Sequence, residues 1–336
     1  MENRSAAFLA LLFHIVAASL LGTPAPLSAE PLRIGYTSIG MVDGPLWLTQ
    51  EAGIFKKHNL EAELVYIAGG PPSTQALIAG DVQIAFTAAG AVVSANLAGS
   101  DVVFLGSSIP TLPFELWAIP SIKEPSQLKA TRLGVSRIGA TSDFVARYLL
   151  KKWNLQPNRD VVIFQTGDIP QVFAALKGGS IQSGIMSTGP FTVLAQAEGF
   201  QRLADVSTVG LAYAFGPFAA RQLFLKSHPE TVRRFVRAYV EGIHLFKTDK
   251  EAALAAIGKY TRVKRSAATE RVYEIYAGKY FKRLPETTPE EIQTALEEIA
   301  STRALPSGVT PQRFVEPAFV REVADSGFVE NLYRGR

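Results

Sequence analysis

Two stretches of this chain, 99 residues apart, carry the same residues in the same order. Arg33, Gly35, Ile39 and Gly40 stand against Arg132, Gly134, Ile138 and Gly139. Pro71, Ala76, Leu77, Gly80 and Gln83 stand against Pro170, Ala175, Leu176, Gly179 and Gln182. These nine identities share one offset without a gap, at turn, cap and core positions. A short period would describe a solenoid, whereas a period near one hundred describes two similar lobes. Within each copy a short apolar run gives way to a glycine turn, a helical segment and another apolar run. Leu32–Tyr36, Ala62–Ile67 and Val82–Phe86 are the strands of the first copy, and the helix through Gln75–Ile78 is closed by Gly80. Strands alternating with helices indicate parallel βαβ units, an α/β fold. After Phe215-Gly216-Pro217 the pattern turns helical, with capping boxes expected at Ser227-His228-Pro229-Glu230 and Thr288-Pro289-Glu290-Glu291. The expected architecture is two βαβ lobes. Residues 30–115 plus 217–336 form a discontinuous first lobe and 116–216 form the second. The chain crosses near Leu116–Pro120 and again near Leu211–Pro217, making a two-crossing hinge that bends but resists splaying.

Residues 1–29 read as a separate object. Arg4 precedes an almost wholly apolar run, Ala6–Leu21, and Pro24, Pro26 and Ser28-Ala29 follow it. This is the pattern of a secretory signal cleaved after Ala29. An uncleaved anchor is the alternative, since the run approaches the ~20 residues that span a bilayer. His14 inside the run and its small-residue exit favour cleavage. The chain contains no cysteine, which excludes disulfides, thiol nucleophiles, thiolate metal sites and a cysteine-anchored lipoprotein. A freely diffusing periplasmic protein is the expectation. Lys+Arg 34 against Asp+Glu 30, without basic blocks, speaks against a nucleic-acid binder.

The inventory for catalysis is thin. His58, His228 and His244 form no metal-ligand spacing, and no GxSxG, P-loop or GxGxxG is present. No catalytic residue, metal or cofactor is therefore expected, and the chain does not read as an enzyme. The loops at the carboxyl ends of the strands are richer: Thr37-Ser38-Ile39-Gly40, Thr87-Ala88-Ala89-Gly90, Ser136-Arg137-Ile138-Gly139-Ala140-Thr141-Ser142 and Met186-Ser187-Thr188-Gly189-Pro190. In open α/β sheets ligands bind at these ends. Small hydroxylated residues at helix N-termini offer backbone N–H groups and a dipole that favours negative charge. The same residue types serve as ordinary N-caps, so the convergence of four loops on one cleft carries the binding reading. Arg137 is the cation among them, placed to clamp an anion. Asp43, Asp143 and Asp168 suit caps or turns, and no paired carboxylates present themselves for a cation. The site reads as one for an anion or a neutral polar solute, with Trp47, Phe86, Phe114, Trp117 and Phe191 as candidate walls.

Gly44-Pro45-Leu46-Trp47, Glu51-Ala52-Gly53-Ile54-Phe55, Leu60-Glu61-Ala62-Glu63-Leu64 and Ala76-Leu77-Ile78-Ala79-Gly80-Asp81-Val82-Gln83-Ile84-Ala85 together resemble the nitrate/sulfonate/taurine-type periplasmic substrate-binding proteins of ABC transporters. Lys123–Lys129 with Leu133-Gly134-Val135 resembles that family's entry into its second lobe, and Glu230–Tyr239 fits its tail. Gln83 stands where the family usually has aspartate. The resemblance covers about residues 32–260. It implies a type II periplasmic-binding-protein fold, closure of two lobes on a small organic anion or polar molecule, and delivery to a membrane permease and ATPase complex. The ligand contacts it implies are Ser38, Trp47, Gly69, Thr87, Ala88, Arg137, Gly139, Thr141, Ser142 and Thr188. Two alternatives share the fold: a cysteine-free lyase and a ligand-presenting sensor protein. A monomer is expected, since a partner over the cleft would hinder closure.

Overall fold

The computed structural model describes residues 31–300 and 304–334; the expected signal at 1–29 lies outside the described residues. The first five strands are β1 (Leu32–Tyr36), β2 (Ala62–Tyr66), β3 (Ile84–Phe86), β4 (Val102–Thr111) and β5 (Phe114–Ala118). The next five are β6 (Arg132–Val135), β7 (Val162–Gln165), β8 (Ser183–Ser187), β9 (Gln201–Asp205) and β10 (Ala212–Arg221). They form two five-stranded sheets, ordered β2-β1-β3-β10-β4 and β7-β6-β8-β5-β9. Each sheet has a parallel core of three strands from its own βαβ copy, and an antiparallel strand inserted beside it. β10 runs against β3 and β4 in the first sheet, and β5 against β8 and β9 in the second. The two lobes of the α/β fold are thus built on one plan.

The repeat has a structural cause. Gln83 Oε1 accepts from the Arg33 amide at 2.9 Å, and Gln182 Oε1 accepts from the Arg132 amide at 3.0 Å. The same two side chains donate to the Gly80 and Gly179 carbonyls, each at 3.4 Å. Those glycines hold φ of +86° and +74° at the ends of their helices, where a residue without Cβ enters the left-handed region freely. Each glutamine therefore ties a helix exit to the start of its first strand.

The central strands β3 and β8 are buried along their whole length, as expected where helices cover both faces. In the first lobe Phe86 meets Phe218, Phe235 and Tyr239 at ring-centroid distances of 5.4, 6.4 and 4.9 Å. Phe235 and Tyr239 come from the helix Pro229–Thr248, which anchors the C-terminal helices to this sheet. Burial of each such ring contributes about 1.5–3 kcal/mol. Proline does open that helix, but the capping box expected at Ser227 does not form. Ser227 Oγ donates to the Leu223 carbonyl at 2.8 Å within the preceding helix, and His228 occupies the cap.

The chain passes between the sheets at Leu112-Pro113 and again over Val206–Leu211, joined where Thr111 Oγ1 donates to the Leu211 carbonyl at 3.2 Å. Of the segments expected as crossings, Leu116–Pro120 and Leu211–Pro217, Leu211 falls in the second crossing, while residues 116–118 and 212–217 are strand, their apolar runs filling interior positions of the two sheets. No helix among the described residues is long and apolar enough to cross a membrane.

Candidate functional site

The carboxyl ends of β1, β3, β6 and β8 open on one cavity of about 60 Å³ between the sheets. Thr37 and Ser38 follow β1, Thr87 and Ala88 follow β3, Ser136 follows β6, and Ser187 ends β8; all line it. Among the helices that begin at its wall are Gly70–Ala79, Ala89–Leu97 and Thr141–Lys152. No side chain caps any of them, so their N-terminal dipoles act on the cavity with backbone groups alone. The hydroxyls beside them are already oriented. Ser142 Oγ takes the Ser136 amide at 3.0 Å and shares a bond with Ser136 Oγ at 2.7 Å. Thr87 Oγ1 donates to the Gly70 carbonyl at 2.9 Å.

Of the contacts implied by resemblance, Ser38, Gly69, Thr87, Ala88, Thr141 and Ser142 line the cavity together. Trp47 does not. It is fully buried in the first-lobe core, stacked on Tyr260 at 4.7 Å and set edge-on to Tyr36. Thr188 is buried outside the cavity lining, with its hydroxyl on Glu115 Oε1 at 3.2 Å. Gly139 gives its amide to Asp143 Oδ2 at 2.9 Å and borders an outer groove instead. Arg137 reaches across the cleft: its Nε donates to the Ala68 carbonyl at 2.6 Å. Its stem lies over Gly69, where an added Cβ would come within 2.4 Å of Arg137 Cδ. Phe86 and Phe114 wall the cavity, whereas Trp117 and Phe191 pack in the second-lobe core.

Two acids line the cavity that the sequence reading set aside as caps. Asp168 Oδ2 accepts from the Ile39 amide and from Tyr66 Oη, both at 2.7 Å, so the second lobe's acid is held by donors of the first. Burial raises its carboxyl, against the pull of those bonds and of Arg137. Asp43 occupies the cap position of the helix Gly44–Glu51, yet its side chain makes no capping bond. Pro45 explains part of this. At the second helical position it removes one of the two amides that an N-cap acid would take. That Asp-Gly-Pro order was the one signal in the sequence. Asp43 is 2% exposed. Burial first, then the nearby Asp168 charge, lifts its carboxyl well above the ordinary range. The same two acids, after burial, help push the Tyr36 hydroxyl to about 12. Asp43 and Asp168 thus both line this cavity, where no pair of carboxylates was expected from the sequence.

A separate groove of about 1060 Å³ lies outside this cavity, between Gly90, Ser94 and Glu298 on one side and Asp143, Arg147 and Tyr148 on the other. Asp143 accepts from Arg147 Nε at 2.9 Å. Burial and the facing Asp143 push Glu298 up to about 8. No cluster of three or more His, Asp or Glu able to hold a metal exists among the described residues.

Residues 43–253 match the family model described as NMT1/THI5 like. A Brucella abortus protein that carries the provisional name of a binding protein is 25% identical over 239 residues, covering 70% of this chain and 73% of its own. Among solved structures, the nitrate-binding protein NrtA of Synechocystis superposes with a TM-score of 0.72 at 13% identity, covering 91% of this chain and 92% of its own. The alkanesulfonate-binding protein SsuA of Xanthomonas axonopodis gives 0.69 at 17% identity, with 86% and 100% covered. The desulfurization enzyme DszB gives 0.64 at 14%, with 88% and 99% covered. At these identities the structural likeness speaks for the fold alone.

Proposed function

We propose, from the premise that the chain belongs to the NMT1/THI5-like family, that it is the solute-binding component of an ABC importer. A small polar solute is captured between the lobes and handed to a membrane permease and its ATPase. The carrying observation is the cavity itself. Residues of both sheets line it, and donors of one lobe close it against an acid of the other. The uncapped helix N-termini at its wall suit acceptor or anionic atoms of the solute. Nothing at the cavity pairs a nucleophile with a base, which favours capture over turnover. In this reading residues 1–29 are removed on export to the periplasm and the mature protein works as a monomer. The lobes divide where the chain passes between the sheets, one holding 32–111 with 212–334 and the other 114–205.

Thermal-shift screening against sulfonates, carboxylates, nitrate, ureides and pyrimidines, followed by small-angle scattering with any hit, tests this. A solute at about 100 times its Kd adds ~2.7 kcal/mol of stability, and the bound protein scatters as a more compact particle. A solute consumed during incubation moves the chain to the lyase reading.

A further inference from the structure

Three polar atoms of the cavity wall are buried and have no hydrogen-bond partner: Ser38 Oγ, Asp43 Oδ2 and Ser187 Oγ. Nearly all buried polar atoms in folded proteins are paired, so a cluster of three at one cavity marks where polar atoms of a solute belong. A carboxylate oxygen only accepts, and the two hydroxyls beside it are able to accept as well. Asp168, the second acid, already has two donors on Oδ2. Arg137, the cation expected to meet an anion, is bonded to the Ala68 carbonyl and is absent from the cavity wall. An anionic group placed at Asp43 would face two buried acids, of which Asp168 alone feels the Arg137 charge. A cationic nitrogen there supplies both the missing hydrogen bonds and the missing charge.

Resting on the binding-protein reading above, we infer that Asp43 is a ligand contact and that the solute presents a positively charged nitrogen group to it. An ammonium or amidinium donates to Asp43 Oδ2 and to the Ser38 and Ser187 hydroxyls, while the helix N-termini take acceptor atoms elsewhere on the same solute. Burial and Asp168 raise the Asp43 carboxyl, with the Ser38 amide opposing; the other titratable groups around it, Tyr36, Tyr66 and Tyr239, are phenols whose ionisation is itself suppressed. A cation favours the ionised form of Asp43, so affinity rises with pH over the range in which that carboxyl titrates.

The test measures thermal shifts of the protein with butylammonium, benzylammonium, acetamidinium and benzamidinium. Butanol, benzyl alcohol, butyrate, benzoate and butanesulfonate serve as matched controls. The cations are expected to raise the melting temperature and the controls to leave it unchanged. Asp43→Asn, which keeps the size and loses the charge, abolishes the shift. If Asp43→Asn does not fold, Ser187→Ala and Ser38→Ala carry the test, each expected to weaken the shift with the cations. Anions that bind in place of the cations overturn this inference and leave the binding reading intact. Cations that bind Asp43→Asn equally well also overturn it. Silence toward every cation overturns it too, and the wider solute screen then decides separately whether the binding reading fails with it.

Discussion

Tyr66 Oη donates to Asp168 Oδ2 at 2.7 Å, joining the end of β2 in one lobe to the cap of the helix Ile169–Lys177 in the other. The Ile39 amide adds a second donor to the same oxygen, and Arg137 returns the contact from the second lobe to the Ala68 carbonyl. These bonds sit at the rim of the cavity and form only when the lobes meet. They set how much free energy a solute must supply to close the cleft, since a ligand shifts such an equilibrium only by its differential affinity for the two states.

Tyr66→Phe removes one latch donor and keeps the ring. A hydrogen bond to a charged acceptor contributes about 1.5–3 kcal/mol, and Tyr66 is 40% exposed, which places the effect at the lower end. The open population should rise by about tenfold, with solute affinity lowered accordingly. Small-angle scattering of the solute-free variant should show a larger radius of gyration. A curve superposing on that of the parent protein would show that the bond does not hold the lobes.

Arg137→Ala separates two roles for one side chain. As an anion clamp, Arg137 would matter to anionic solutes alone. As a rim bond to Ala68, it matters to closure, so its loss should weaken every solute by the same factor whatever the charge. Calorimetry on one anionic and one uncharged ligand reads the difference, and a loss confined to the anion would restore the clamp.

Trp47→Ala should act on stability and leave the site chemistry alone. The indole is fully buried between Tyr260 and Tyr36, and truncating a buried aromatic to alanine costs about 3–5 kcal/mol. Urea unfolding should register that loss, while the folded fraction keeps its solute affinity. A variant of normal stability and poor binding would return Trp47 to the site.

The lobes were legible because the residues that build them act locally. Gln83 and Gln182 bond within their own βαβ units, to glycines three residues back and to the neighbouring strand, so the repeat in sequence is a repeat in structure. The loops lining the cavity were legible for the same reason, since helix starts at strand ends follow from the fold. The directions of Asp43, Arg137 and Trp47 were not. Each depends on what the tertiary structure places opposite it: a proline that withholds an amide, a carbonyl on the other lobe, a tyrosine from the helix Lys250–Thr261. The antiparallel strands β5 and β10 were hidden too, because an apolar run beside a glycine and a proline reads equally as a connector.

Glu298 makes stability depend on pH in a stated direction. Burial and the facing Asp143 raise its carboxyl from 4.5 to about 8 in the folded protein, with Arg147 opposing. Between those values the folded state holds a proton that the unfolded chain has released. The stability contributed by neutral Glu298 is thus complete below about 4.5 and lost as pH rises through about 8. Glu298→Gln carries no titrating group, so its urea midpoint should fall less than the parent's across that window and should exceed the parent's on the alkaline side. Because Glu298 and Asp143 come from different lobes, the same rise in pH should also favour the open form of the parent protein and not of the variant. Parallel urea midpoints for the two proteins across the window would show that Glu298 does not titrate there.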